Sequence, residues 1–214
     1  MKQASTTTDP AGTDKAPGEH RGNRHGRSEQ ARLAVLNAAD GLLVEKGFAG
    51  VTIEGIAASA GVAKQTIYRW WSTKTEILLD AFLQDAAEDL TPPDHGDLAR
   101  DLRAYLRELA HFLGGSDSGA VFTALLGQAQ HDPEFSSVLQ TRFLAEQRRR
   151  DHLPLERAVE RGQLPADLDT EAEVDQLVGP IYYRVLVTGD PVDEAFTDRL
   201  VENFLRRVTP DSGR

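Results

Sequence analysis

Residues 51–74 read VTIEGIAASAGVAKQTIYRWWSTK, and this stretch decides the fold. Thr52 is a typical helix N-cap, and Gly61 supplies the unusual dihedral angles of a tight turn after a short helix. A further short helix is predicted from Ala63 to Trp70. Two short helices joined by such a turn are typical of a helix-turn-helix, although composition alone fits a plain helical hairpin with a solvated polar face equally well.

The later of these two helices carries polar groups on the side away from Ile67. Its amide, hydroxyl and cationic groups can contact the base edges and phosphates of DNA. Three basic residues and no acidic residue fall within 62–75, while the whole chain has a net charge of −10. A small positive face on an acidic body is typical of a protein that touches DNA at one place. The polar side chains of this helix are Lys64, Gln65, Thr66, Tyr68 and Arg69.

Apolar spacing predicts helices almost without interruption after Arg27 and no strand of useful length. The first helix is expected over 29–46, with Gly47 as its left-handed C-cap. A fourth helix begins near Thr73 and ends at Pro92. The fold class is therefore all-α, with about nine helices. The later helices are expected around 98–113, 122–129, from Asp132 through a kink or break at Pro154, 170–188 and 192–208.

Composition divides the chain into three parts. Residues 1–27 are rich in Gly, Pro, Thr and basic residues and show no apolar period, which predicts a disordered basic tail. Residues 28–73 are predicted to form the helix-turn-helix domain, and residues 74–209 a second helical domain.

Several classes of protein are disfavoured by what the sequence lacks. There is no cysteine, no apolar run of the roughly 18 residues that a bilayer requires, and no apolar segment typical of a secretory signal. We therefore expect a cytoplasmic protein that does not enter a membrane. The six histidines show no metal-ligand spacing, and no set of acid, base and nucleophile is recognisable. The sequence thus predicts no metal, no cofactor and no enzymatic activity.

Residues 51–74, with the preceding pairs Ala38-Ala39, Leu42-Leu43 and Gly47-Phe48, resemble the DNA-binding signature of the TetR family of bacterial transcriptional regulators, of the TetR/AcrR type. The resemblance covers residues 29–80 with its spacing intact. It implies that the third helix enters the major groove of DNA and that the start of the fourth helix meets the DNA backbone.

The resemblance also assigns contacts by matching position. Gln65, Thr66 and Arg69 are the candidates for base edges. The candidates for phosphates are Lys64, Tyr68, Trp70 and Lys74, with Thr52 presenting the N-terminus of the second helix.

Two residues depart from the family's pattern. Ala63 stands where a hydroxyl-bearing cap is usual, and Gly55 lies inside the second helix, where glycine costs about 1 kcal/mol relative to alanine. Trp71 occupies the family's aromatic core position. We therefore expect a DNA-binding domain that is somewhat less stable than is usual in the family but keeps all of its contact groups.

The last two predicted helices are apolar on more than one side, so each must be covered from two directions. The resemblance implies that they form a four-helix bundle in a dimer, and a fully intramolecular core is the alternative. A two-fold dimer would place the recognition helices about one DNA turn apart, or somewhat further, and predicts a pseudo-palindromic operator. The candidate interface residues are Leu177, Val178, Ile181, Tyr182, Val185, Phe196, Leu200 and Phe204.

A ligand cavity among helices four to seven is a further implication of the resemblance. His111 and Gln128 are candidate polar contacts for a ligand. Packing in the core is the alternative for every aromatic residue of this set. The candidate wall residues are Phe82, Phe112, Phe122, Leu125, Leu126 and Phe143.

Together these observations predict a ligand-responsive repressor that binds DNA as a homodimer and is released by a small apolar molecule. The alternative is a helical enzyme or interaction protein that keeps the helix-turn-helix only as a scaffold. The acid-free run 62–75 favours the regulator, because an interaction protein would not need it.

Overall fold

The computed structural model describes the backbone of residues 22–208 and the side chains of residues 26–208, and this part of the chain is all-α. Nine helices follow one another between residues 22 and 208. The first four are α1 (Gly22–Gly50), α2 (Ile53–Ala60), α3 (Lys64–Tyr68) and α4 (Lys74–Asp89). The others are α5 (Leu98–Gly114), α6 (Asp117–Ala129), α7 (133–160), α8 (170–188) and α9 (Glu194–Val208).

The first helix begins earlier than predicted. It starts at Gly22 and not near residue 29, so residues 22–27 of the expected tail are helical, while residues 1–21 lie outside the described residues. Gly47 interrupts α1 with φ 66° and ψ 170°. Its φ is positive as predicted, but its ψ is extended and is not that of a left-handed helical cap. Glycine adopts this conformation readily because it has no Cβ.

Helix α7 is continuous but irregular. It consists of Pro133–Leu139, a π-helical turn at Gln140–Leu144, and Ala145–Glu160. Asp132 caps its N-terminus, as the sequence predicts. The helix runs on through Pro154 and does not split there. Proline removes one backbone hydrogen bond, and the burial of Pro154 offsets this loss.

The last two helices agree with the predicted ranges 170–188 and 192–208. Helix α8 consists of Thr170–Tyr183 followed by a second π-helical turn, Arg184–Thr188. Helix α9 packs beside α8 and also against α5. In the described part of the chain, none of the helices combines the length and the apolar character needed to cross a membrane.

Helix α4 connects the two predicted domains. Ile77, Leu78 and Leu79 are three consecutive residues with no exposed surface, so the N-terminal half of α4 is covered on all sides. Helix α1 packs on α4 from the predicted helix-turn-helix domain, and α6 packs on it from the predicted second domain. Full burial of each such side chain contributes about 1.5–3 kcal/mol. The two domains therefore share one continuous hydrophobic core.

Candidate nucleic-acid interface

The turn between α2 and α3 has the geometry that its sequence predicts. Thr52 caps α2, since its Oγ1 accepts a hydrogen bond from the Gly55 N–H at 3.0 Å. Gly61 ends α2 in the left-handed conformation, with φ 66° and ψ 30°. Helix α3 then starts at Lys64, behind Ala63, which provides no side-chain cap, as its methyl group predicts. The helix-turn-helix is therefore present with the predicted caps.

Gly55 has a packing role in α2 that sequence reasoning did not assign. A Cβ at this position would lie 3.1 Å from Thr52 Oγ1 and 3.6 Å from Leu42 Cδ1. The first distance is tighter than an ordinary contact. Glycine therefore leaves room for the N-cap of α2 and for the approach of α1, which offsets its lower helix propensity.

Apolar residues hold one side of α3 against the protein. Ile67 is fully buried, and Trp71, which follows α3, is also buried, as expected for the family's aromatic position. The Trp71 Nε1–H donates to Asp80 Oδ2 on α4 at 2.7 Å. A buried indole usually requires such a partner for its N–H. These contacts fix the orientation of α3 relative to α4.

The opposite side of α3 presents polar groups to solvent. Gln65, Tyr68 and Arg69 are exposed, and Thr66 and Trp70 are half-buried. The Arg69 guanidinium lies 5.8 Å from the centroid of the Trp70 ring. An amide, a phenol and a guanidinium are thus available together at a surface that DNA can reach.

Lys64 takes part in an exposed ion pair between α2 and α3. Its Nζ lies 2.9 Å from Oε1 of Glu54, and this hydrogen bond lowers the pKa of Glu54. Exposed ion pairs of this kind contribute little to stability. A phosphate can therefore replace Glu54 as the partner of Lys64 at small cost.

Lys74 holds the backbone between α1 and α2. Its Nζ donates to the Phe48 carbonyl at 2.6 Å and to the Val51 carbonyl at 3.0 Å, and lies 4.3 Å from the centroid of the Phe48 ring. Sequence reasoning assigned this cation to a phosphate and missed its structural role, because the two carbonyls are 26 and 23 residues away along the chain. The third donor of the ammonium group has no hydrogen-bond acceptor among the described residues.

Four phenylalanines of the predicted ligand wall form one packed cluster, here called the phenylalanine cluster. Helices α4, α5, α6 and α7 each contribute one ring, and all four rings are buried. Neighbouring ring centroids are 4.6–5.5 Å apart, which are ordinary distances for aromatic packing in a core. This arrangement corresponds to the core-packing alternative. The cluster consists of Phe82, Phe112, Phe122 and Phe143.

The other candidate ligand residues are placed differently. Leu125 is buried, and Leu126 and Gln128 are half-buried on α6. His111 is exposed and lines a groove of about 950 Å³ between α5, α6 and the connection from α8 to α9. His111 therefore lines a surface groove and is not part of the phenylalanine cluster.

Sequence reasoning missed a polar cluster in the interior of the second domain. The Tyr105 hydroxyl donates to Asp151 Oδ1 at 2.5 Å, and Gln147 Nε2 donates to both groups at 2.9 Å. These three side chains, the interior polar cluster, are 2–7 % exposed. Burial raises the pKa of Asp151 to about 6, and burial with the nearby carboxylate raises the pKa of Tyr105 well above its ordinary value.

The available sequence signal for this cluster was the spacing of Gln147 and Asp151. Residues four apart share one face of a helix. The run Arg148-Arg149-Arg150 between them is typical of a solvated helix face, so the sequence does not indicate that Gln147 and Asp151 are buried.

The candidate dimer residues divide into two groups. The core of the chain itself already covers Leu177, Val178, Ile181 and Phe204, which are 0–8 % exposed. The half-buried group consists of Tyr182, Val185, Phe196 and Leu200. The exposed large apolar side chains of α8 lie instead at Tyr183 (58 %), Leu186 (37 %) and Val187 (69 %). The apolar pattern thus does not show which side of these helices the chain itself leaves uncovered.

Two family models match the chain. The model "Bacterial regulatory proteins, tetR family" matches residues 35–81, and "Tetracyclin repressor-like, C-terminal domain" matches residues 92–204. The HTH-type transcriptional regulator YdeS of Bacillus subtilis is 39 % identical over 186 residues, which are 87 % of this chain and 93 % of that protein. The DNA-binding transcriptional repressor TetR of Mycobacteroides abscessus is 32 % identical, over 84 % of this chain and 94 % of its own.

The fold agrees with a solved relative as well. The crystal structure of a TetR family transcription regulator matches with a TM-score of 0.71 at 37 % identity, over 85 % of this chain and 100 % of the other. This structural match, the two family models and the helix-turn-helix geometry of α2 and α3 all support membership of the same family. This chain belongs to the TetR family of bacterial transcriptional regulators and is a DNA-binding regulator, not an enzyme.

Proposed function

We propose that this chain is a ligand-responsive repressor of the bacterial cytoplasm that binds a pseudo-palindromic operator as a homodimer and leaves it when a small apolar molecule binds. One observation supports the DNA-binding part most directly. Helix α3 is held by Ile67 and Trp71, and its other side exposes polar groups in a run, 62–75, that contains no acidic residue. A helix held in this way can enter the major groove, where carboxylates would meet the phosphates unfavourably.

The proposed contacts follow from the position of each group on this surface. We assign Gln65, Thr66 and Arg69 to base edges, because amides pair with adenine and guanidinium groups with guanine. Groups at the margin of the surface are assigned to the DNA backbone, where they position the helix without reading sequence. These are Lys64, Tyr68, Trp70 and Lys74 and, at the N-terminus of α2, Thr52.

The homodimer is proposed to form through the uncovered side of α8. Tyr183, Leu186 and Val187 are exposed apolar side chains within about one turn of this helix. An apolar patch of this kind marks an interaction surface, and two-fold pairing with a second copy would cover it. The half-buried Phe196 and Leu200 of α9, which packs beside α8, are proposed to border the contact.

A charge at the centre of this patch tests the dimer. Val187→Arg is expected to convert the dimer to a monomer in sedimentation velocity, because the arginine would have to be buried without a partner. The matched control is Val44→Arg on α1, where an exposed valine lies in the DNA-binding domain. A dimer that survives Val187→Arg contradicts this interface.

Release by a ligand requires that the second domain act on the DNA-binding helices. Helix α4 provides a continuous route, since α1 packs on one side of it and α6 on the other. A ligand that binds more tightly to an arrangement that does not fit the operator shifts the population away from the DNA-bound form. We propose that this shift changes the spacing of the two α3 helices in the dimer.

The central experiment is a mobility-shift assay with the full chain and the DNA upstream of its own coding sequence, in the presence of unrelated competitor DNA. Gln65→Ala is expected to change sequence preference, and Arg69→Ala to weaken specific binding by about tenfold or more. Arg149→Ala removes the same charge from the exposed surface of α7 and serves as the control. Wild-type binding that is absent or independent of sequence would contradict the proposal and favour the scaffold alternative.

A further inference from the structure

The interior polar cluster contains an unpaired acceptor. Gln147 is 2 % exposed, and its Oε1 is buried with no hydrogen-bond partner among the described residues. Next to Asp151 on the same helix, His152 is 8 % exposed, and its Nε2 is likewise unpaired within residues 26–208. Protein interiors leave few such atoms unpaired, because a buried polar group without a partner has lost its hydration. The cluster therefore has capacity for one more hydrogen-bonding group.

The chemistry of the cluster specifies what that group must be. The Tyr105 hydroxyl donates to Asp151, and the Gln147 amide donates to both of these groups. Arg148, a cation that acts electrostatically on Asp151, is exposed and is paired with two carboxylates at the surface. The Gln147 carbonyl oxygen and the Asp151 carboxylate remain as acceptors. The complementary group is a hydrogen-bond donor, and an anionic group would be repelled by the carboxylate.

An aromatic region adjoins the polar cluster along α7, where the buried residues Phe143 and Gln147 are four positions apart and therefore share one face of the helix. The centroid of the Tyr182 ring lies 6.1 Å from that of Phe122 in the phenylalanine cluster. Burial, together with the charge of Asp151, raises the pKa of Tyr182. The interior of the second domain thus has one polar end with a surplus of acceptors and one aromatic end.

We propose that the effector is an apolar ring compound with a hydroxyl or amine donor at one end, which Gln147 Oε1 and Asp151 accept while the phenylalanine cluster contacts the rings. This inference rests on the proposed ligand response and specifies the chemical class of the ligand. Because the four phenylalanine rings are in direct contact, the ligand must separate them and selects a more open arrangement of α4 to α7. Phe82 lies on α4, so this opening acts on the helix that is packed against α1.

A series of four naphthalene derivatives of similar size tests this class. Naphthol and (aminomethyl)naphthalene carry a donor, naphthoate carries an anion, and methylnaphthalene carries neither. In calorimetric titrations of the full chain at neutral pH, the two donors are expected to bind about tenfold more tightly than methylnaphthalene. Naphthoate is expected to bind most weakly of the four.

Two variants connect this order to the named residues. Gln147→Met removes the Oε1 acceptor, together with the Nε2 donor, at nearly constant volume and is expected to lower the affinity for naphthol about tenfold while leaving the affinity for methylnaphthalene unchanged. Asp151→Asn removes the charge and is expected to weaken binding of the amine more than binding of naphthol, because only the amine is a cation at neutral pH. Gln140→Met, at an exposed position of α7, is the matched control.

Three results would overturn the inference: binding of naphthoate as tight as that of naphthol, no binding of any probe at millimolar concentration, or an unchanged naphthol-to-methylnaphthalene ratio in Gln147→Met. Both affinities in this ratio are measured on the same variant, so partial unfolding of the sample does not change the ratio. Operator binding without ligand is measured on the same samples. If operator binding is absent, the repressor proposal fails. If it is intact and the probe order is wrong, only the ligand class is overturned.

Discussion

The exposed side of α3 and the interior polar cluster use similar chemical groups in opposite settings. On α3, the amide of Gln65 and the phenol of Tyr68 are exposed to solvent. In the interior, the amide of Gln147 and the phenol of Tyr105 are buried and bonded to one carboxylate. Exposed groups keep their hydration until DNA replaces it, whereas buried groups must find partners within the fold. The polar groups of α3 therefore require only that the opposite side of one helix is anchored. The polar groups of the interior require partners on several helices to be placed within hydrogen-bonding distance.

The largest effect on stability is expected in the interior, for Phe82→Ala. This change removes the ring that contacts Phe112, Phe122 and Phe143. Loss of a fully buried phenylalanine costs about 3–5 kcal/mol of the free energy of unfolding, which urea denaturation measures. The control on α3, Tyr68→Ala, is expected to change stability by less than about 0.5 kcal/mol. If Phe82→Ala lowers the free energy of unfolding no more than Tyr68→Ala does, the interior is loosely packed and does not differ from the exposed side of α3 in this respect.

The DNA-binding end could be predicted residue by residue because its determinants are local. Thr52 and Gly61 act on backbone groups within a few residues of themselves, and Ile67 faces inward as its helical position predicts. Spacing alone did not distinguish a helix-turn-helix from a helical hairpin. The resemblance to the family decided between them and assigned the DNA contacts.

The interior could not be predicted in the same way, because its partners are distant in sequence. Tyr105 and Asp151 are 46 residues apart, and no periodic pattern pairs α5 with α7. Apolar spacing identified α8 as a helix that must be covered, but Ile181 is buried by the chain itself while Val187 is exposed. Periodicity shows that a helix has an apolar side; the neighbouring helices decide which part of it stays uncovered.

An intermediate effect is expected where the two regions meet. Asp40 of α1 is half-buried and its Oδ1 is fully buried, and this desolvation together with Asp85 of α4 and Asp117 of α6 raises its pKa to about 7. Because this pKa is higher in the folded than in the unfolded chain, the native state holds the proton more tightly. The contribution of Asp40 is therefore fully favourable at acidic pH, and the free energy of unfolding falls as pH rises from about 4 to about 7.

Asp40→Asn should remove this pH dependence. The variant is expected to be more stable than the wild type at mildly alkaline pH, by on the order of 2 kcal/mol, with a smaller difference at acidic pH. Urea denaturation across this pH range measures the difference. Asp89→Asn, at an exposed position near the end of α4, is the control. Parallel pH profiles for Asp40→Asn and the wild type would show that Asp40 is ionised at little cost in the native state.

The smallest effect distinguishes two lysines of the DNA-binding end. Lys74→Met is expected to lower the free energy of unfolding by about 1–2 kcal/mol, because the carbonyls of Phe48 and Val51 lose a charged donor. Lys64→Met removes only an exposed pair with Glu54 and is expected to leave stability unchanged. Both lysines are proposed phosphate contacts, so each variant should weaken binding to all DNA alike and reduce the salt slope by about one unit.

Urea denaturation and salt titration of DNA binding together separate the two roles of Lys74. Loss of stability with an unchanged salt slope would make Lys74 a purely structural residue and leave Lys64 as the phosphate contact of the pair. A reduced slope with unchanged stability would mean that water satisfies the Phe48 and Val51 carbonyls equally well. In that case apolar contacts alone hold the connection between α1 and α2, and the polar contacts of Lys74 matter less to the fold than those of Gln147 and Asp151 in the interior.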